Sequence, residues 1–294
     1  MITVTLYIVL PCDSGDNQQN KARYPIPDKL LEFSEWVCSL GASRFCNIDR
    51  WFGQGWIRLD VLLNMSLDSL LSEINRPCTK FHVGGFRPTN EIDESWLGKV
   101  TLYAQDEELP IDKNGNPMIQ IGQFYLPSIQ NVHTSLSSVK LLTVFVSSEL
   151  EGDCDLMDGN FAVREYSDLE GLEVKDFPAV EDSLKSFPLK PESLDSDHAI
   201  WDGGGLTPEQ EDKVIEMEDD GVFDSYYDVT THCYDHKFGG YPSFCQPGVD
   251  LHPYEFVFQV SSDEKLQLNV IDNGSFQFWR HPETGDWKLY YDFY

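Results

Sequence analysis

The residues best suited to chemistry cluster at His232-Cys233-Tyr234-Asp235-His236. Two histidines four positions apart could share one face of a helix, with Cys233 as a third soft donor, a spacing used for zinc. The Lys237-Phe238-Gly239-Gly240 that follows leaves little room for such a helix, and no second ligand pair has suitable spacing. The stretch therefore reads as a polar lead-in to a turn, and no metal or cofactor is expected. Cys245 is a possible nucleophile, but it lies beside Pro247 with no base that the sequence can place near it. The chain has no phosphate-binding loop, dinucleotide fingerprint, Gly-x-Ser-x-Gly elbow or His-Glu-x-x-His helix. No catalytic residue is nominated, and a non-enzymatic protein is expected.

The other chemistry is electrostatic. Twenty-one basic residues against 50 acidic ones give 294 residues a net charge of −29. Such a field repels nucleic acid and anionic membrane surfaces and speeds the approach of basic partners. The candidate partner-binding residues are Asp153, Asp155, Asp158, Glu216, Glu218, Asp219, Asp220 and Asp224. Carboxylates clustered beside aromatics can imitate a polyanion and fill a basic groove; a solvated acidic face is the other reading. The seven cysteines form no Cys-x-x-Cys pair, which suits reduced thiols. The apolar amino terminus is too short and β-branched for a signal peptide or membrane span, so a cytoplasmic location is expected.

The elements that must position these residues follow a phrase that occurs twice. Lys80-Phe81-His82-Val83-Gly84-Gly85-Phe86-Arg87-Pro88 returns, shortened, as Lys237-Phe238-Gly239-Gly240-Tyr241-Pro242. Gly84, Gly85, Gly239 and Gly240 are expected to take positive φ, while Pro88 and Pro242 fix the chain leaving each turn. Each copy precedes an apolar strand carrying one glutamine, Gln123 or Gln259, and then a second apolar or aromatic strand. This implies two related half-units.

Along the chain, Met1 to Leu10 reads as a strand and Pro27 to Leu40 as an amphipathic helix; Trp51 to Ile57 reads as an aromatic-anchored turn and Ser66 to Ile74 as a short helix. Strands are expected over Lys99–Gln105, Met118–Leu126 and Val139–Ser147. Thr207, Pro208 and Gln210 spell a capped helix start, with Gly221 beyond its acidic end. Tyr254–Val260, Lys265–Ile271, Ser275–Arg280 and Trp287–Tyr294 read as a four-stranded meander turning at Asn273-Gly274 and Thr284-Gly285. Trp279, Trp287, Tyr290 and Tyr291 read as sheet residues rather than a carbohydrate platform. The expected fold class is α+β: β-rich, with two related antiparallel half-units and a few packed helices. Its parts are an N-terminal α/β segment (1–79), a first half-unit (80–148), an acidic connector with helices (149–231) and a second half-unit (232–294), possible as one compact domain.

The phrases Gly84-Gly85-Phe86-x-Pro88, Gly122-Gln123-Phe124, Phe238-Gly239-Gly240-Tyr241-Pro242, Phe256-Val257-Phe258-Gln259-Val260 and Asp272-Asn273-Gly274-Ser275-Phe276 resemble the YwqG-like family of bacterial domains. The resemblance covers roughly residues 80–294. Where that family shows Trp-Gly-Asp-x-Gly, this chain has Val270-Ile271-Asp272-Asn273-Gly274. The resemblance implies a duplicated, β-rich fold. Because some relatives stand beside secreted toxins, it also implies an immunity protein that occludes the active site of a basic toxin, an effector nuclease. The alternative is a small-ligand or glycan-binding module with a cleft near Gly85 and Gly240.

Overall fold

The computed structural model describes residues 46–52, 55–61, 66–150, 157–180 and 183–294. The strand expected at Met1–Leu10 and the helix expected at Pro27–Leu40 lie outside them. Contacts divide the chain into two units, Met1–Ser72 and Glu73–Tyr294.

In the first unit, β1 (Cys46–Phe52) and β2 (Gly55–Val61) form an antiparallel pair with Trp51 opposite Trp56 and Phe52 opposite Gly55. The aromatic-glycine stretch expected as a turn carries strand on both sides of residues 53–54, which lie outside the described residues, and its aromatics suit a pleated surface. Helix α1 (Leu67–Ile74) starts where expected, with Ser66 Oγ accepting the Ser69 N–H at 3.3 Å.

The second unit is built on strands β3 (Cys78–Val83), β4 (Trp96–Leu97), β6 (Ile119–Tyr125), β7 (Leu141–Val146), β8 (Phe161–Tyr166), β10 (Phe187–Leu194), β11 (Lys237–Gly239), β12 (Glu255–Ser261), β13 (Ser275–Arg280) and β14 (Trp287–Asp292). They form one ten-stranded antiparallel sheet in the order β14-β13-β12-β11-β3-β10-β4-β6-β7-β8. Two short strands, β5 (Leu102–Ala104) and β9 (Leu172–Val174), pair separately. Two further α-helices, α2 (Pro208–Asp219) and α3 (Tyr226–Val229), and two short 3-10 turns at Leu126–Ser128 and Thr134–Leu136 complete the described elements.

This corrects the expected α+β class with two half-units. The fold is mostly β, and its principal sheet is continuous and nearly closed. Two pairings account for the difference. Strand β3 is hydrogen-bonded directly to β11, with Lys80 opposite Lys237 and Cys78 opposite Gly239, so the two glycine phrases share the middle of one sheet. Strand β10, from the segment expected as an acidic connector, then enters between β3 and β4. Short-range pattern cannot reveal a strand that inserts from more than ninety residues away, since loop closure over such a length costs little more than over a shorter one.

The ends of the sheet approach through side chains. Glu165 on β8 accepts from Arg280 Nε (2.8 Å) and Nη2 (3.1 Å) on β13 and from Trp287 Nε1 (2.7 Å) on β14. The Met157 N–H adds a bond of 2.9 Å to the Leu289 carbonyl. The centre of the core is aromatic. Phe238, Phe258 and Phe278 stack across β11, β12 and β13 at 4.7 and 4.2 Å, and Phe81 and Phe124 pack on Phe238 at 5.9 and 5.3 Å. Cross-strand aromatic pairs of this kind hold register as well as burying area.

The expected meander also changes. Residues 265–271 form no strand: Asp263 Oδ1 accepts the N–H groups of Lys265 (2.6 Å) and Leu266 (3.1 Å), which turns the chain back on itself. Gln267 and Ile271 consequently sit at φ 60° and 54°. Three strands remain, with Gly285 at φ 79° in the β13–β14 turn. Tyr290 and Tyr291 are buried, and Trp279 and Trp287 half-buried, in the sheet.

Candidate functional site

Of the eight acidic candidates, Asp153 and Asp155 lie outside the described residues. Asp158 is exposed in the turn ahead of β8. The other five gather where α2 ends. Thr207 and Gln210 form the expected capping box, with the Gln210 N–H 3.3 Å from Thr207 Oγ1 and the Thr207 N–H 2.9 Å from Gln210 Oε1. Val214 and Met217 are buried, which turns Ile215, Glu216 and Asp219 outward. Glu216 pairs with Lys213 at 2.6 Å, and Glu218 accepts the Tyr226 N–H at 2.7 Å. Asp219, Asp220 and Asp224 are exposed, and the last turn of the helix has no basic residue. Among them stand Ile215, Val222 and Tyr227, exposed by 47%, 52% and 55%. Carboxylates at the negative end of a helix dipole raise the local negative potential, and apolar side chains in that setting give a basic protein something to bury.

The glycine pairs take the expected conformation: φ is 58° at Gly84, 83° at Gly85, 73° at Gly239 and 68° at Gly240. At Gly240 there is also no space, because an added Cβ would lie 2.0 Å from Asp197 Oδ2. Pro242 is buried and Pro88 exposed beyond their respective turns.

That close approach marks a buried polar network which the sequence did not single out. Asp197 follows β10, and Lys237 opens β11; both side chains are fully buried, with Nζ 2.8 Å from Oδ2. Lys237 Nζ also donates to the Cys233 carbonyl. Asp197 further accepts the N–H of Cys233 on Oδ1 (2.7 Å) and of Tyr241 on Oδ2 (2.9 Å). One carboxylate thus ties together β10, the lead-in to β11 and the glycine turn. A buried carboxylate is tolerable because its charge is paired and its lone pairs are occupied.

His232 extends the network. Its Nδ1 lies 2.6 Å from the His198 carbonyl, which can only accept, so Nδ1 carries the proton. Nε2 is then free to accept the Ser243 hydroxyl at 2.7 Å. Burial, reinforced by the Lys237 charge, pushes the imidazole pKa down to about 4. Asp197, His232 and Ser243 therefore follow the order of a nucleophile relay, with Asp197 Oδ1 3.4 Å from His232 Nδ1. The setting opposes that role: Ser243 is 6% exposed, its N–H is bonded to Gln259 Oε1 at 3.0 Å, and its base is weak. What this arrangement does is hold an irregular segment in place. His236 is separate, with Nδ1 accepting the Ser261 N–H (3.1 Å) and Nε2 3.3 Å from Asp263 Oδ2. Among the described residues no three His, Cys, Asp or Glu side chains are grouped to hold a metal ion.

The two strand glutamines have parallel duties. Gln259 Nε2 donates to the carbonyls of Tyr234 (3.2 Å) and Asp235 (3.1 Å), while Gln123 accepts the Thr101 N–H (2.8 Å) and donates to the Glu94 carbonyl (2.9 Å). Each amide thus satisfies an irregular segment running beside its strand. A lone glutamine in an apolar strand was the available signal for this. For Asp197 the sequence offered none, since Ser196-Asp197-His198 looks like any polar loop.

No helix among the described residues is long and apolar enough to cross a membrane. No curated protein matches the chain. The family described as Domain of unknown function (DUF1963) matches residues 95–285, a span that holds Asp197, His232, Lys237, Ser243, both strand glutamines and the α2 patch but begins after the first glycine phrase. With well over half of its length inside that match, the chain belongs to the DUF1963 family.

Proposed function

We propose that this protein is a binding protein of the immunity type, which neutralises a basic bacterial toxin, an effector nuclease, by covering its active site. The observation that carries the reading is the end of α2, where Ile215, Val222 and Tyr227 are exposed among Glu216, Asp219, Asp220 and Asp224. Apolar anchors ringed by one sign of charge suit a protein partner of the opposite charge, with the charges setting the association rate and the anchors the lifetime. The net charge of −29 supports a basic partner. The finer likeness to YwqG-like domains, some of which neighbour toxins, supports the immunity role. Co-expression with the toxin encoded by the adjacent gene tests it: protection of the cell and co-elution at low salt are expected. Replacing Glu216, Asp219, Asp220 and Asp224 together by lysine should weaken the complex at least ~10-fold, chiefly through slower association. Full toxicity with no complex at low salt would overturn the proposal.

A second reading, a small-ligand or glycan-binding module, is supported by a cavity of about 530 Å³ lined by Lys99, Val100, Met118, Gln120, Lys175 and Phe177 among others. Its size falls in the roughly 300–1,000 Å³ range of small-molecule sites. Neither Gly85 nor Gly240 lines it. A thermal-shift response to a metabolite or glycan panel, abolished by Met118→Trp, would favour this reading.

A further inference from the structure

The buried network holds two cysteines that neither the fold nor the proposed binding face uses. Cys78 begins β3, in the middle of the sheet, and is 0% exposed; Cys233, in the lead-in to β11, is 8% exposed. Their thiols are neighbours, and both residues meet the Asp197 carboxylate: a Cβ at Gly240 would lie 3.0 Å from Cys78 Cβ and 2.0 Å from Asp197 Oδ2, while Asp197 Oδ1 accepts the Cys233 N–H at 2.7 Å. The neighbouring elements are fixed, since β3 and β11 are paired with Cys78 opposite Gly239, and the Cys233 N–H and C=O are both bonded within the Asp197–Lys237 pair. The two cysteines are thus held around one carboxylate by paired elements.

We propose that Cys78 and Cys233 form a thiol-pair modification site, which a hydroperoxide converts to an intramolecular disulfide joining β3 to the segment before β11. The roles of the two thiols differ. The hydrogen bond from Cys78, aided by the Lys237 ammonium, holds Cys233 below the usual thiol range, and the same bond together with burial pushes Cys78 up. Cys233 is therefore the attacking sulfur and Cys78 the resolving one. In the first step Cys233 Sγ bonds to the distal peroxide oxygen and the O–O bond breaks; the alkoxide or hydroxide leaves and takes the thiol proton, giving a sulfenic acid. In the second step Cys78 Sγ attacks that sulfur and the S–O bond breaks; water leaves with the Cys78 proton. Overall, two thiols and one hydroperoxide give a disulfide, an alcohol or water, and one further water. Hydrogen peroxide is close to water in size, and Cys233, 8% exposed against 0% for Cys78, is the more accessible of the two thiols.

The test treats the folded full-length protein with hydrogen peroxide, blocks residual thiols and maps peptides without reduction. A linked peptide containing Cys78 and Cys233, lighter by two hydrogens, is expected before any other cysteine pair is linked. In Cys78→Ser the linkage should vanish, and dimedone should label Cys233 instead. Circular dichroism confirms that the variant is folded; should it not be, Cys78→Ala is the second variant. Oxidation of Cys245 while Cys78 and Cys233 remain reduced would overturn the proposal, and so would a linkage that forms only in urea. Both outcomes are independent of whether a toxin binds.

Discussion

At the scale of single residues, Lys237 is the most exacting position. Its ammonium is fully buried and is paired with the equally buried Asp197 carboxylate. Lys237→Met should destabilise the fold by about 3–5 kcal/mol, because it leaves an unpaired carboxylate inside. Replacing Asp197 by leucine in the same chain should recover part of that loss, since an apolar pair needs no charge compensation. Urea denaturation of the two variants measures both effects. His232 makes a prediction in pH. The unfolded imidazole protonates near its usual value of 6.5 and the folded one near 4. Below 6.5 the unfolded chain thus binds the extra proton, and stability falls with pH between those values, by up to about 1.4 kcal/mol per unit. Asp263, held down to about 2 by its hydrogen bond to His236, acts in a lower window: its contribution is present above 3.8 and lost as pH falls toward 2. Denaturant midpoints between pH 7 and 4.5 should therefore drop in the native chain and flatten in His232→Gln.

At the scale of elements, α2 was legible because its start signals are local. Thr207→Ala removes the hydroxyl that caps the helix and should cost about 1 kcal/mol, read as a melting-temperature drop of roughly 2–4 °C for a unit of this size. The glycine turns were legible for the same reason, as positive φ is a property of one residue and its neighbours. Strand β10 was not. Pro188 and Pro191 interrupt it, and a strand containing proline does not look like the interior of a sheet. It is accepted there because proline still supplies carbonyls: the Pro188 carbonyl takes the Gly84 N–H at 3.0 Å.

At the scale of the whole unit, the near-closure of the sheet rests on Glu165 joining β8 to β13 and β14. Glu165→Ala leaves Arg280 and Trp287 without this acceptor and should destabilise by about 1–3 kcal/mol. Hydrogen exchange should rise first in β8 and β14, the two end strands, with the β3 and β11 amides protected as before.

The sequence by itself determined what depends on near neighbours: the positive-φ glycines, the capped α2, the strands near Gln123 and Gln259, and the strong negative charge. Only the tertiary structure decided that the two Lys-Phe phrases lie side by side, with Lys80 opposite Lys237, in a single sheet. It also placed Asp197 beneath Gly240, forty-three residues on, and beside Lys237, and Cys78 against Cys233. The physical reason is that pairings distant in the chain are selected by the area they bury and the charges they neutralise together, and no local pattern records that choice.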